Sequence, residues 1–226
     1  MKRLLALLAI AAMCSCTTGS PPDAAKVLRD GGAAMGKLTT ATAALKLTKG
    51  TITIQSFKLV SAKTSVRLPS DSDTIYTVKE QDVSFGLQVV ILPGHVYLHV
   101  PFSQFQEVTG PDAAAFPNMA KLFDPTTGLP AVIPEGTDPK YVKTEQIDGK
   151  DCYQIATTYT AAQVRSLITE LDSSGPVNAH VWVGTSDHFV RKAVLSGAFG
   201  DSGSDATVEV TINSFNGPVV ISSPTP

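Results

Sequence analysis

The chain has 226 residues, 43% of them apolar and 17% charged, with 18 Lys and Arg against 20 Asp and Glu. That length and apolar content support a folded core and exclude a disordered chain. No basic run or patch appears, which argues against a nucleic-acid partner.

The N-terminus has the order of a secretory signal. Met1-Lys2-Arg3 is basic, Leu4 to Met13 is an apolar run of ten residues, and Cys14-Ser15-Cys16 leads into a polar, Pro-containing stretch. The run is shorter than the about 20 residues that a membrane helix needs. Small Ser15 before Cys16 resembles a bacterial lipobox, in which the cysteine is acylated and becomes the new N-terminus. Bulky Met13 makes Cys14 the poorer cut site, and it also stands where lipoboxes usually carry an aliphatic residue. Ordinary secretion with cleavage nearby is the alternative. Residues 1–15 are therefore expected to be the signal, Cys16 the lipid anchor and 16–22 a tether. Two or more acyl chains suffice for stable membrane anchoring, here on the extracytoplasmic face. Cleavage leaves 211 residues, enough for one domain, with 16 basic against 20 acidic residues. Cys152 then has no disulfide partner and reads as a small buried hydrophobe.

Asp23 is placed to cap a helix carrying Ala24, Val27, Leu28, Ala34, Met35 and Leu38 on roughly one side. Gly31 and Gly32 weaken such a helix, or else let it pack closely on a sheet. From about residue 43 the pattern changes to period two. Strands are expected around 43–55, 58–67 and 74–79. The clearest has Val83, Phe85, Leu87, Val89 and Ile91 on one face. Pro93-Gly94 turns the chain back into 96–100, giving a meander. Residues 102–139 read as a long irregular stretch with a helical piece at 118–123, the kind of segment that serves as a functional loop or lid. Strands resume at 141–146 and 152–158 around an Asp148-Gly149 turn. Thr160 and Gln163 form a capping box for a helix with Val164, Leu167, Ile168 and Leu171 on one face. Three further strands follow at 177–183, 189–198 and 206–213, then a loose tail at 222–226.

No catalytic or metal centre stands out. His95 and His99 share a strand face without a third ligand. Asp187-His188 reads as a polar turn, because adjacent hairpin residues cannot both serve one serine. Gly200-Asp201-Ser202-Gly203 lacks the strand-to-helix elbow of a hydrolase. Trp182 reads as a core or pocket-rim aromatic. No cofactor is implied.

Several segments together resemble a known family: Leu122-Phe123-Asp124-Pro125-Thr126-Thr127-Gly128-Leu129, Ile147-Asp148-Gly149-Lys150, the capped 160–171 helix, Ala179-His180-Val181-Trp182-Val183, and Asp187-His188. Their order, behind the lipobox, is similar to the LppX/LprA/LprF/LprG lipoproteins of mycobacteria and related actinobacteria, over most of residues 23–221. The resemblance implies an α+β fold: a strongly curved antiparallel half-barrel, similar to the LolA/LolB carriers, with helices on its concave side enclosing an apolar cavity. It also implies a non-enzymatic role in binding acylated lipids or glycolipids and moving them across the envelope, in some members beside a membrane transporter.

A carrier of acyl chains needs an apolar cavity with a polar mouth. The expected walls are Phe85, Leu87, Val89 and Ile91 with neighbouring Tyr76 and Val78, and the helix face of Val164, Leu167, Ile168 and Leu171. Leu122, Leu129, Val132 and Ile133 lie in the stretch that gates the mouth. The alternative for each position is a filled core, which would make the protein a scaffold or adaptor for an envelope transporter. A lipid esterase is the remaining rival.

Overall fold

The computed structural model describes residues 20–54, 56–167 and 173–224. Cys16, Ile168 and Leu171 lie outside these residues.

Helix α1 (Ala24–Met35) begins where Asp23 accepts a hydrogen bond from the Lys26 amide at 3.1 Å. Val27, Leu28, Gly31 and Met35 are buried, the spacing of one helical face. The chain then enters β1 (Thr40–Lys49), β2 (Thr53–Ile54), β3 (Phe57–Arg67), β4 (Asp71–Glu80), β5 (Val83–Leu92), β6 (His95–His99) and β7 (Gln106–Val108). The expected 43–55 strand is broken in two. Gly50 turns with φ +86°, and a Cβ there would stand 2.5 Å from the Asp205 carbonyl oxygen, so only glycine fits the turn.

The 102–139 stretch is more ordered than expected. Besides β7 it holds α2 (Gly110–Ala114), a 3-10 turn at Met119–Phe123, α3 (Leu129–Val132) and a second 3-10 turn at Ile133–Glu135. Then follow β8 (Thr137–Ile147), β9 (Lys150–Tyr159), α4 (Ala161–Leu167), β10 (Val177–Gly184), β11 (Val190–Gly197) and β12 (Ala206–Asn213). At α4 the capping box forms: Gln163 Oε1 accepts from the Thr160 amide at 2.7 Å, and Thr160 Oγ1 accepts from the Gln163 amide at 3.3 Å.

Among the described residues all twelve strands belong to one antiparallel sheet. Its order is β7-β6-β5-β4-β3-β1-β12-β11-β10-β9-β8, with β2 paired only to β3. Two meanders, β3–β7 and β8–β12, are thus joined through a central β1–β12 pair. The sheet is open and strongly curved, with the helical pieces on its concave side. Helix α1 packs on α3, the 133–135 turn and β8–β11, while the 119–123 turn packs on β3 and β4. Side chains from β4 across to β9 border one common interior, which a flat sheet of strands about 4.8 Å apart would spread over about 29 Å.

Candidate functional site

Register alone assembles the floor of this interior. Tyr76 on β4 pairs with Ala62 on β3, Ala62 with Leu45 on β1, Leu45 with Val210 on β12, Val210 with Ala193 on β11, and Ala193 with Val181 on β10. Paired residues in a sheet share a face, so these six form one row across the concave side. A second row runs Thr74, Thr64, Ala43, Ile212. Both rows line a cavity of about 180 Å³.

Alanine recurs along the floor and leaves room above it. Ala43, Ala62 and Ala193 end at Cβ, where a valine or isoleucine would fill the space. Leu45, Ala62, Ala193 and Val210 are only half-buried although they lie mid-sheet on the inward face, while Tyr76 and Val181 at the ends of the row are 2% and 3% exposed. Inward-facing side chains that still meet solvent-sized space mark an interior that the described residues leave unfilled. No charged side chain lines the cavity among the described residues.

The cover comes from the helical pieces. Pro117, Met119, Leu122, Leu129, Val132 and Ile133 contribute from the 102–139 stretch, and Val164 and Leu167 from α4. Asp124 shapes this cover. One carboxylate oxygen accepts from the Thr126 amide (2.8 Å) and hydroxyl (2.6 Å) and from the Thr127 amide (2.9 Å) and hydroxyl (3.0 Å). Those bonds hold its pKa down at about 2. The Gly128 amide closes the loop on the Asp124 carbonyl at 2.9 Å, and a Cβ on Gly128 would lie 2.5 Å from the Leu122 carbonyl oxygen. The tight loop brings Leu122 and Leu129 to the same cavity. Buried Tyr159 reaches the cover from β9, and burial raises its pKa.

The structure divides the sequence candidates. Tyr76, Leu122, Leu129, Val132, Ile133, Val164 and Leu167 line the cavity. Val78, Leu87, Val89 and Ile91 are buried beside it and are not among its lining residues, and neither is half-buried Phe85. Leu87 stands next to Tyr76 and Val89 next to Thr74, one strand beyond the floor. Sequence reasoning passed over Ala43, Leu45, Ala62, Ala193, Leu195, Val208, Val210 and Ile212. The available signal was alanine on strands, where it is normally depleted.

Other singled-out groups have structural partners. His95 Nδ1 lies 2.7 Å from Glu107 Oε1, and Asp187 bonds Arg191. Asp201 accepts from the Thr53 amide at 2.8 Å and its hydroxyl at 2.7 Å. Trp182 faces the convex side, opposite Val181, where its Nε1 donates to Glu145 Oε1 at 2.6 Å and Lys192 Nζ sits 5.3 Å from the ring centre. Cys152 is fully buried and burial raises its thiol pKa. Among the described residues no three His, Cys, Asp or Glu converge as a metal site.

Known proteins resemble this chain in sequence or share its architecture. It is 28% identical over 232 residues to the lipoarabinomannan carrier protein LprG of Mycobacterium tuberculosis H37Rv, covering 98% of this chain and 94% of that one. The crystal structure of LprF from Mycobacterium bovis superposes with a TM-score of 0.72 at 17% identity, covering 92% of this chain and 100% of that one. That of the Mycobacterium tuberculosis lipoprotein LppX gives 0.64 at 18% identity, covering 88% and 97%. The family model of the LppX_LprAFG lipoproteins matches residues 23–221, and the chain belongs to that family.

Proposed function

We propose that this protein is a membrane-anchored lipoprotein that binds acylated lipids or glycolipids and carries them across the cell envelope. The observation that carries the reading is the unfilled apolar space over the Ala43, Ala62 and Ala193 floor. The LprG relative, named a lipoarabinomannan carrier, supports the same cargo class. Acylated Cys16 would hold the domain at the membrane's extracytoplasmic face, where a membrane transporter is a fitting partner.

The energetics suit a carrier. Each methylene taken from water contributes about 0.8 kcal/mol, so ten methylenes give about 8 kcal/mol before ordering costs. The lining offers little beyond hydrocarbon contact, which suits release as well as capture. The cover over the cavity is made of short helices and turns rather than strands, the elements that open most readily.

Native mass spectrometry of the domain purified from its own envelope tests the proposal. The expected spectrum carries an added acyl-lipid mass, and Ala193→Trp, which fills the floor, removes it from a folded domain. A wild-type domain that never retains lipid, with unchanged behaviour in Ala193→Trp, would favour the scaffold instead. Turnover of an ester substrate by the purified domain would favour the esterase.

A further inference from the structure

Apart from two tyrosines, Thr64 and Thr74 are the polar residues lining the cavity among the described residues. They face each other across β3 and β4, with their hydroxyl oxygens 2.8 Å apart. Thr74 is 2% exposed. Ala43 stands beside Thr64 in the same row, so nothing larger than a methyl group flanks the pair on that side.

The hydrogen count is informative. Two hydroxyls carry two hydrogens, and one lies in the bond between the oxygens. Among the described residues each threonine hydroxyl has the other as its hydrogen-bond partner, which leaves one hydroxyl hydrogen unengaged there. Thr74 is buried and Thr64 half-buried, so a hydroxyl hydrogen without an acceptor is unfavourable on the Thr74 side, and valine has nearly the shape of threonine without that cost. A wall built only to touch hydrocarbon would be better made of valine here.

The geometry points to a polar recognition point inside the apolar cavity: the Thr64–Thr74 pair receives a hydroxyl carried along the acyl chain of the cargo. The spare hydrogen donates to the ligand oxygen, and a threonine lone pair accepts the ligand's own hydrogen. Hydroxylated chains are thereby preferred over plain ones of equal length. This assignment rests on the carrier reading, and the pair acts as a specificity determinant within it.

The test measures binding of stearic acid and of hydroxystearic acids with the hydroxyl near the carboxyl end, at mid-chain and near the methyl end. Wild type is compared with Thr64→Val, Thr74→Val, the double variant, and the Thr64→Ser and Thr74→Ser variants that keep a hydroxyl. One hydroxylated isomer is expected to bind wild type about 3–10-fold more tightly than stearic acid. The valine variants should erase that gap, and the serine variants should retain it. The single valine variants decide the matter if the double variant unfolds. Equal or weaker binding of every hydroxylated isomer by wild type overturns the assignment while leaving the carrier reading intact. A gap that survives in the valine variants also overturns it. Failure of every probe, stearic acid included, to bind wild type removes the carrier reading and the assignment with it.

Discussion

Tyr159 Oη donates a hydrogen bond to the main-chain carbonyl of Ile133 at 3.0 Å, from the last residue of β9 to the cavity's cover. Both residues line the cavity, and the bond is buried. It joins the sheet to the short helical pieces that lie over the cavity.

Tyr159→Phe should therefore cost about 1–3 kcal/mol, because a buried carbonyl loses its donor while the ring's packing stays. Urea unfolding at neutral pH checks the size. Lipid exchange measured by fluorescence should become faster, since the cover loses a fixed point on the sheet.

Leu87 and Ala193 offer opposite expectations. Leu87→Trp overpacks a buried position outside the cavity lining and should cost about 1–3 kcal/mol with lipid occupancy kept. Ala193→Leu extends into the cavity and should leave stability unchanged while lowering occupancy. Unfolding curves read beside native mass spectra give both quantities, and a reversal would place β5 in the wall.

The paired glycines of α1 should behave differently from each other. A Cβ on Gly32 would stand 2.5 Å from the Pro130 carbonyl oxygen and 2.7 Å from Pro134 Cγ, so Gly32→Ala must push α1 off the cover. A loss of about 1–3 kcal/mol is expected. A Cβ on Gly31 would meet Val183 and Val190 at 3.4 Å, an ordinary contact. Gly31→Ala should be neutral or gain up to about 1 kcal/mol in helix propensity. Thermal unfolding of the two variants checks the contrast.

Asp124 makes a pH prediction. Its pKa falls from the ordinary 3.8 to about 2 in the folded protein, so the native state favours the ionised form. The resulting stabilisation is full above the unfolded value of 3.8 and is lost as pH falls through about 2. Asp124→Asn should show a smaller acid-induced loss over that window than wild type. Acid titrations followed by circular dichroism, run on both proteins, make the comparison.

Much of the fold is legible in local pattern. The Asp23 cap, the Thr160–Gln163 box, the Pro93-Gly94 turn and the strand alternations each depend on residues within a few positions of one another. The cavity is less legible. The Val83–Ile91 stripe is the strongest apolar signal in the chain, yet strength of burial does not say whether the space ahead is filled. Β5 lies one strand beyond the floor, beside Tyr76 and Thr74. The floor itself depends on β1 meeting β12, a pairing 171 residues apart at Thr42 and Asn213, which no local window contains. Its alanines look unremarkable until that pairing sets them side by side. The 122–129 motif is visible as a string, but its four bonds to one carboxylate, and the shared aim of Leu122 and Leu129, arise only in the folded chain.

The β1–β12 seam also governs assembly. Until the final strand arrives, the two meanders cannot join, and each would present an unpaired edge and a greasy inner surface to its surroundings. A chain stopped before Ala206 would lack Val208, Val210 and Ile212 and would have two half-shells instead of a container. The cavity is therefore completed only when β12 pairs with β1.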